Sequence, residues 1–207
     1  MEYLARTTKD HKRKQTLKEH LQGTARLSGS FAQQFGCYDW GYCCGYLHDI
    51  GKYSDAFQER LNGSSKQVDH STAGARVCWE QKGYYPLMGV CIAGHHTGLL
   101  NYGGGTDTGN VATVIRRKKK KLEDYQAYKQ EIQIPQLKTQ PFDSTRTDNF
   151  DFSLSVFIRM LYSCLVDADF LDTERFMQEG EIQRDPGESR ENLMGKLENH
   201  IAGWLAQ

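Results

Sequence analysis

Apolar residues recur along this chain at intervals of three and four, and strict alternation of apolar and polar positions never persists. That period predicts helices nearly throughout. Leu17, Leu21, Leu27, Phe31 and Phe35 mark a first helix over about 15–35. A second, over about 38–50, is apolar almost all round (Trp40, Tyr42, Cys43, Cys44, Tyr46, Leu47, Ile50) and is therefore expected at the centre of the molecule. Ser54 can cap a short helix bearing Phe57 and Leu61. A helix from about Ser71 to Lys82 stops at Gly83, and Pro86 opens the next, which contains Leu87 and Ile92.

Five glycines between 98 and 110 predict an irregular loop, and a basic helix is expected over about 111–133. Residues 135–148 lack periodicity and read as a linker into a long helix over about 151–177. Asp185, Pro186 and Gly187 make a turn before a last helix over about 188–205, whose Leu193, Leu197, Ile201 and Trp204 suit packing on the core, the favoured reading, or against a neighbouring helicase. The expected architecture is an all-α bundle forming one domain, residues 1–207, with its centre of interest at about 15–177.

At 207 residues and 38% apolar composition, one sizeable core can form, and wholesale disorder is excluded. No apolar run approaches the roughly 18 residues of a membrane span. The first residues, Met1 to Arg6, lack the apolar segment of a secretory signal, so a cytoplasmic location is expected. Six cysteines without C-x-x-C pairs read as reduced core residues. Lys and Arg total 26 and so do Asp and Glu, yet Arg116, Arg117, Lys118, Lys119, Lys120 and Lys121 are consecutive. Such a run is either a solvated helix face or a surface that follows a nucleic-acid backbone.

The chemistry-bearing residues stand at helix ends and on inward faces. His20 shares a register with Leu27 and Phe31, where a histidine is either a satisfied core residue or a ligand. His48 and Asp49 close the most apolar helix, where an adjacent imidazole and carboxylate need partners. His70 precedes the helix that begins at Ser71. His95 and His96 end the helix after Pro86; consecutive imidazoles project about 100° apart and converge only where the backbone turns. Asp167 lies on the register Phe157, Met160, Cys164, Asp167, Leu171, while Asp169 is assigned to another face. Five His and two Asp suit borderline divalent ions and exceed what one tetrahedral ion needs. Two ions about 3.5–4 Å apart, bridged by a carboxylate, would use them all.

These residues resemble the HD-domain metal-dependent phosphohydrolases, whose ordered signature is H…HD…D. More narrowly they resemble the HD nuclease of type I CRISPR systems, the domain fused to or working beside a superfamily 2 helicase. The matching strings are GYLHDIGKYSDAFQERLNG (45–63), VDHSTAGA (68–75), IAGHHTGL (92–99) and RMLYSCLVDADFLDTERF (159–176). The family often follows the tandem histidine with two glycines, where this chain has Thr97 and Gly98.

The resemblance implies a helical domain, with one or two divalent ions (Mn, Fe, Ni or Co, with Mg or Zn also compatible), that cleaves single-stranded DNA as an endo- or exonuclease in antiviral defence. Carried onto this sequence, one ion takes His20, His48, Asp49 and Asp167. The second takes His70, His95 and His96, with Asp49 bridging. Lys52 would meet the scissile phosphate, making Asp49 and Lys52 the catalytic pair. Nothing in the chain supplies a Walker lysine or an Asp-Glu-x-His box. A helicase in cis or in trans and a guide-RNA surveillance complex are the implied partners. The alternatives are an HD-type nucleotide or cyclic-dinucleotide phosphohydrolase, and a non-catalytic module holding a structural ion.

Overall fold

A computed structural model describes residues 2–104, 112–142, 149–178 and 187–205. Among them the fold is mostly helical, as the pattern predicts, with one two-stranded antiparallel sheet that it does not. Strands β1 (Leu4–Thr7) and β2 (Lys14–Thr16) pair Leu4 with Thr16, Arg6 with Gln15 and Thr7 with Lys14. They are four and three residues long, too short for alternation to register in the sequence. Thr16 then caps α1 (Leu17–Ala32) through a reciprocal box with Glu19, which fixes where the helix begins.

Helix α2 (Tyr38–Leu47) carries the fully buried Trp40, Cys43, Cys44 and Leu47 and packs on α1. Gly45 makes this possible, because a Cβ there would stand 2.7 Å from the Cα of Ala25. The helix stops at Leu47, and Asp49 (φ −108°, ψ 20°) leads into a 3₁₀ turn, Ile50–Tyr53. Ser54 caps α3 (Asp55–Leu61), its hydroxyl accepting from the Phe57 amide.

Next come α4 (Ser71–Trp79) and α5 (Tyr85–Gly94), with Pro86 in the first turn of α5. The expected basic helix is much shorter, α6 covering only Val114–Lys119, with a 3₁₀ turn at Gln126–Gln130. Like charges on successive turns repel. The Arg76 guanidinium also takes the carbonyls of Lys118 and Lys120 as the chain leaves the helix. The expected loop is irregular over 98–104, and 105–110 lies outside the described residues.

The linker is anchored where it is described. Asp39 accepts from the amides of Lys138 and Thr139, and Trp40 donates to the Thr139 carbonyl. Helix α7 (Phe150–Met177) packs on α1, α2 and α5, and its Phe157, Leu161, Leu165 and Ala168 complete the core. All six cysteines are buried thiols.

The chain divides into two compact units, Met1–Met177 and Gln178–Gln207. The second contains α8 (Arg190–Leu205), whose Leu193, Leu197, Ile201 and Trp204 are exposed. No helix among the described residues is long and apolar enough to cross a membrane.

Gly51 sets one dimension of the first unit. A Cβ on it would lie 2.3 Å from the His70 carbonyl oxygen, a backbone atom that cannot swing aside. Gly51→Ala is expected to displace the irregular segment leading into α4, destabilise the fold by about 1–3 kcal/mol, and weaken divalent-ion binding through His70. Denaturant unfolding and metal titration of the variant check both effects. Wild-type values for both would exclude this close approach.

Candidate metal centre

Five helix ends and faces bring their side chains to one carboxylate, that of Asp49, which is 1% exposed. Its Oδ2 faces His20 Nε2 at 3.3 Å and His48 Nε2 at 3.3 Å. Its Oδ1 faces His70 Nε2 at 3.4 Å and His95 Nε2 at 3.6 Å. The donor atoms fall into two groups that share Asp49, one formed with His20, His48 and Asp169 and the other with His70, His95 and His96. Within each group they lie within 4.8 Å of one another, the reach of a single divalent ion.

Local geometry explains the convergence. His48 is the C-cap of α2 and His95 that of α5, so each imidazole leaves where its helix stops. The turn at Gly98, with φ of +90°, closes the end of α5. It leaves the His95 and His96 rings 3.9 Å apart, and His96 Nε2 lies 2.8 Å from His70 Nε2.

The surrounding bonds orient the ligand atoms. His48 Nδ1 is 2.8 Å from the Gly45 carbonyl and His95 Nδ1 is 2.7 Å from that of Ile92. A carbonyl only accepts, so both rings donate from Nδ1 and turn Nε2 inward. This is the outer-shell arrangement of metal-binding histidines. His20 Nδ1 meets Asp172 Oδ2 at 2.7 Å, and Gln15 Nε2 donates to the same oxygen. His48 Nε2, His95 Nε2 and Asp49 Oδ1 are buried with no hydrogen-bond partner. Buried polar atoms are seldom left so, and three of them aimed at one centre fit a cation.

Charge follows from this packing. Burial pushes the His48 imidazolium down, but Asp49 and Asp169 outweigh it and hold the group up at about 10. His70 is pushed down to about 3 and His96 to about 4, chiefly by burial. Asp49 resists its own burial because His48 and Lys52 hold it well below the carboxylate range. The Lys52 ammonium stands 2.6 Å from Asp49 Oδ2.

At neutral pH, then, His48 is charged and must shed its proton to bind a cation, whereas His70 and His96 are already neutral. Loading the first group at pH 7 is expected to release a proton and to tighten as pH rises toward about 10. The metal-free protein behaves oppositely. The stability that His48 gains from its carboxylates is full below about 6.5, its unfolded value, and is lost as pH rises through about 10. Calorimetric titration of divalent ion in buffers of different ionisation enthalpy measures the proton; binding without proton release would contradict the assignment.

His20, His48, Asp49, Lys52, His70, His95 and His96 are brought together. Asp167 is not. It is exposed, and Asp169 takes its expected place, with Oδ1 at 3.4 Å from His20 Nε2 and 3.6 Å from His48 Nε2. The buried face of α7 runs through Phe157, Leu161, Cys164, Leu165, Ala168 and Asp172, one residue round from the expected register. Met160, placed inward on that register, is 41% exposed. Arg6, Gln15 and Asp172 also belong to the centre, and no local signal marks them. Arg6 reaches His20 across 14 positions of sequence, Gln15 reaches Asp172 across 157, and Asp172 reaches His20 across 152.

The basic run lies beside the centre. Arg117 Nη1 donates to both oxygens of Asp69, the neighbour of His70, and to Thr72. Lys120 Nζ donates to Asp69 at 2.6 Å. Those two cations are therefore engaged within the fold, and Lys118 lies over the Trp79 ring. Lys119 and Lys121 are exposed. Compared with known proteins, the chain matches no family model and no curated protein.

Proposed function

We propose that the chain is a metal-dependent nuclease for single-stranded DNA, the HD nuclease of a CRISPR defence system. In this reading it acts with a superfamily 2 helicase and a guide-RNA surveillance complex. One observation carries the hydrolase part of the reading: two groups of His and Asp donors share a buried carboxylate. A closed structural site needs four ligands and no sharing. The motif strings that enclose these donors support the narrower nuclease assignment.

Bound divalent ions would supply an activated water and would neutralise charge on the phosphoryl group. The residues do the rest. His20, His48 and Asp169 hold one side of Asp49, and His70, His95 and His96 hold the other. Asp49 fixes their separation. Lys52 is paired with Asp49 and becomes available to a substrate phosphate once that carboxylate serves a cation. Arg117 and Lys120 tether the basic segment to Asp69, beside His70, and the exposed Lys119 and Lys121 of that segment are the cations this reading assigns to a DNA backbone.

The test is degradation of circular single-stranded DNA by metal-stripped protein given Mn, Ni, Co, Fe, Mg or Zn singly, with a duplex circle as control. Loss of the single-stranded circle alone supports the proposal. Inertness with every ion overturns it, and hydrolysis of mononucleotides instead would favour a nucleotide phosphohydrolase.

A further inference from the structure

Arg6 reaches the centre from β1, and nothing in the proposed mechanism uses it. Its Nη2 lies 3.0 Å from His20 Nε2, 3.2 Å from His20 Nδ1 and 3.8 Å from Asp169 Oδ1. The side chain is 14% exposed, and its Nη1 is buried without a hydrogen-bond partner. A guanidinium is always charged, and each N–H left unused in the interior is costly.

Of the three carboxylates at the centre, Asp169 pairs with Arg6 and Asp49 with Lys52, while Asp172 is bonded to His20 and Gln15. Among the described residues, Asp169 is the one carboxylate within ion-pair distance of Arg6. It is also a cation donor. A divalent ion there would draw the Asp169 charge away and add positive charge beside the guanidinium. Arg6 cannot ligate the ion and cannot lose its proton. It then needs an anion that reaches both itself and the donor cluster.

We propose that Arg6 binds the phosphate of the substrate, donating from its planar fork to an unesterified oxygen held at the metal centre. This rests on the reading of the centre as a phosphoester hydrolase. A purely structural duty toward His20 is already met by Asp172, which holds the ring at Nδ1.

Inorganic phosphate is the probe, applied by equilibrium dialysis to the full chain loaded with Mn. Arg6→Gln is expected to keep the wild-type metal content and to bind phosphate about 10- to 100-fold more weakly, the range for losing a charged hydrogen bond. Arg6→Lys, which keeps the charge but not the fork, is expected to lose a few-fold, and it serves should the glutamine variant not fold.

Unchanged phosphate affinity in a folded variant overturns the proposal. So does absence of phosphate binding by the wild type. Loss of metal from both variants also overturns it, because Arg6 would then merely support His20. Failure of the nuclease reading is separate: Arg6-dependent phosphate binding in a protein that cuts no DNA leaves Arg6 in place and changes the substrate.

Discussion

Asp49→Asn is expected to yield a folded protein that retains no divalent ion in either donor group and, on the proposed function, lacks detectable hydrolytic activity. The carboxylate is the one member common to both groups, and each of its oxygens faces two imidazole Nε2 atoms. An amide of the same shape turns an NH₂ toward one of those pairs. It also takes away the negative charge that the Lys52 ammonium approaches at 2.6 Å. Affinity should fall by at least about 100-fold, beyond the loss typical of an outer-shell change. The backbone should survive, because the replacement has the same volume and His48 can relieve the charge imbalance by losing its proton. Metal content by mass spectrometry of the dialysed protein, with circular dichroism as the control for folding, measures this. Stoichiometric metal in the variant would remove Asp49 from the centre.

The second large effect separates two neighbours on α7. Asp169→Asn should cost roughly 100-fold or more in affinity for the first ion, on the same grounds, whereas Asp167→Asn should leave metal binding and stability within error. Asp169 Oδ1 stands within 3.6 Å of two histidine Nε2 atoms, and their proximity lowers its pKa despite burial. Asp167 faces solvent. Surface substitutions of that kind rarely exceed about 0.5 kcal/mol. Parallel metal titrations of the two variants decide the matter, and an effect at position 167 with none at 169 would restore the register expected from the sequence.

That register shows where sequence reasoning reached its limit. Helix α7 carries apolar residues on nearly every side over its middle turns, so several phases of a 3.6-residue period fit it about equally well. Asp167 and Asp169 flank Ala168, which is fully buried, and lie about 200° apart around the axis. The phase was decided by α1, α2 and α5 packing on the Leu161, Leu165 and Ala168 face, which is information that no window of sequence contains. The two strands were missed because each is four residues or fewer, and with them went Arg6 and Gln15.

Much else was readable because its cause is local. Ser54 and Pro86 start helices by their own chemistry, and Gly83 and Gly98, with φ of +70° and +90°, adopt a backbone suited to glycine. His48 with Asp49, and His95 with His96, sit at the helix ends where the apolar runs stop, and His70 sits at a helix start. Their role as candidate donors needed only residue type and position. Which carboxylate joins them, how far the basic helix extends, and that Arg117 and Lys120 turn toward Asp69 all depend on contacts across about 50 to 150 residues. Helix ends and metal-capable side chains are properties of short stretches. The phase of a helix that is apolar all round, and the partners of a buried charge, exist only once the chain has packed.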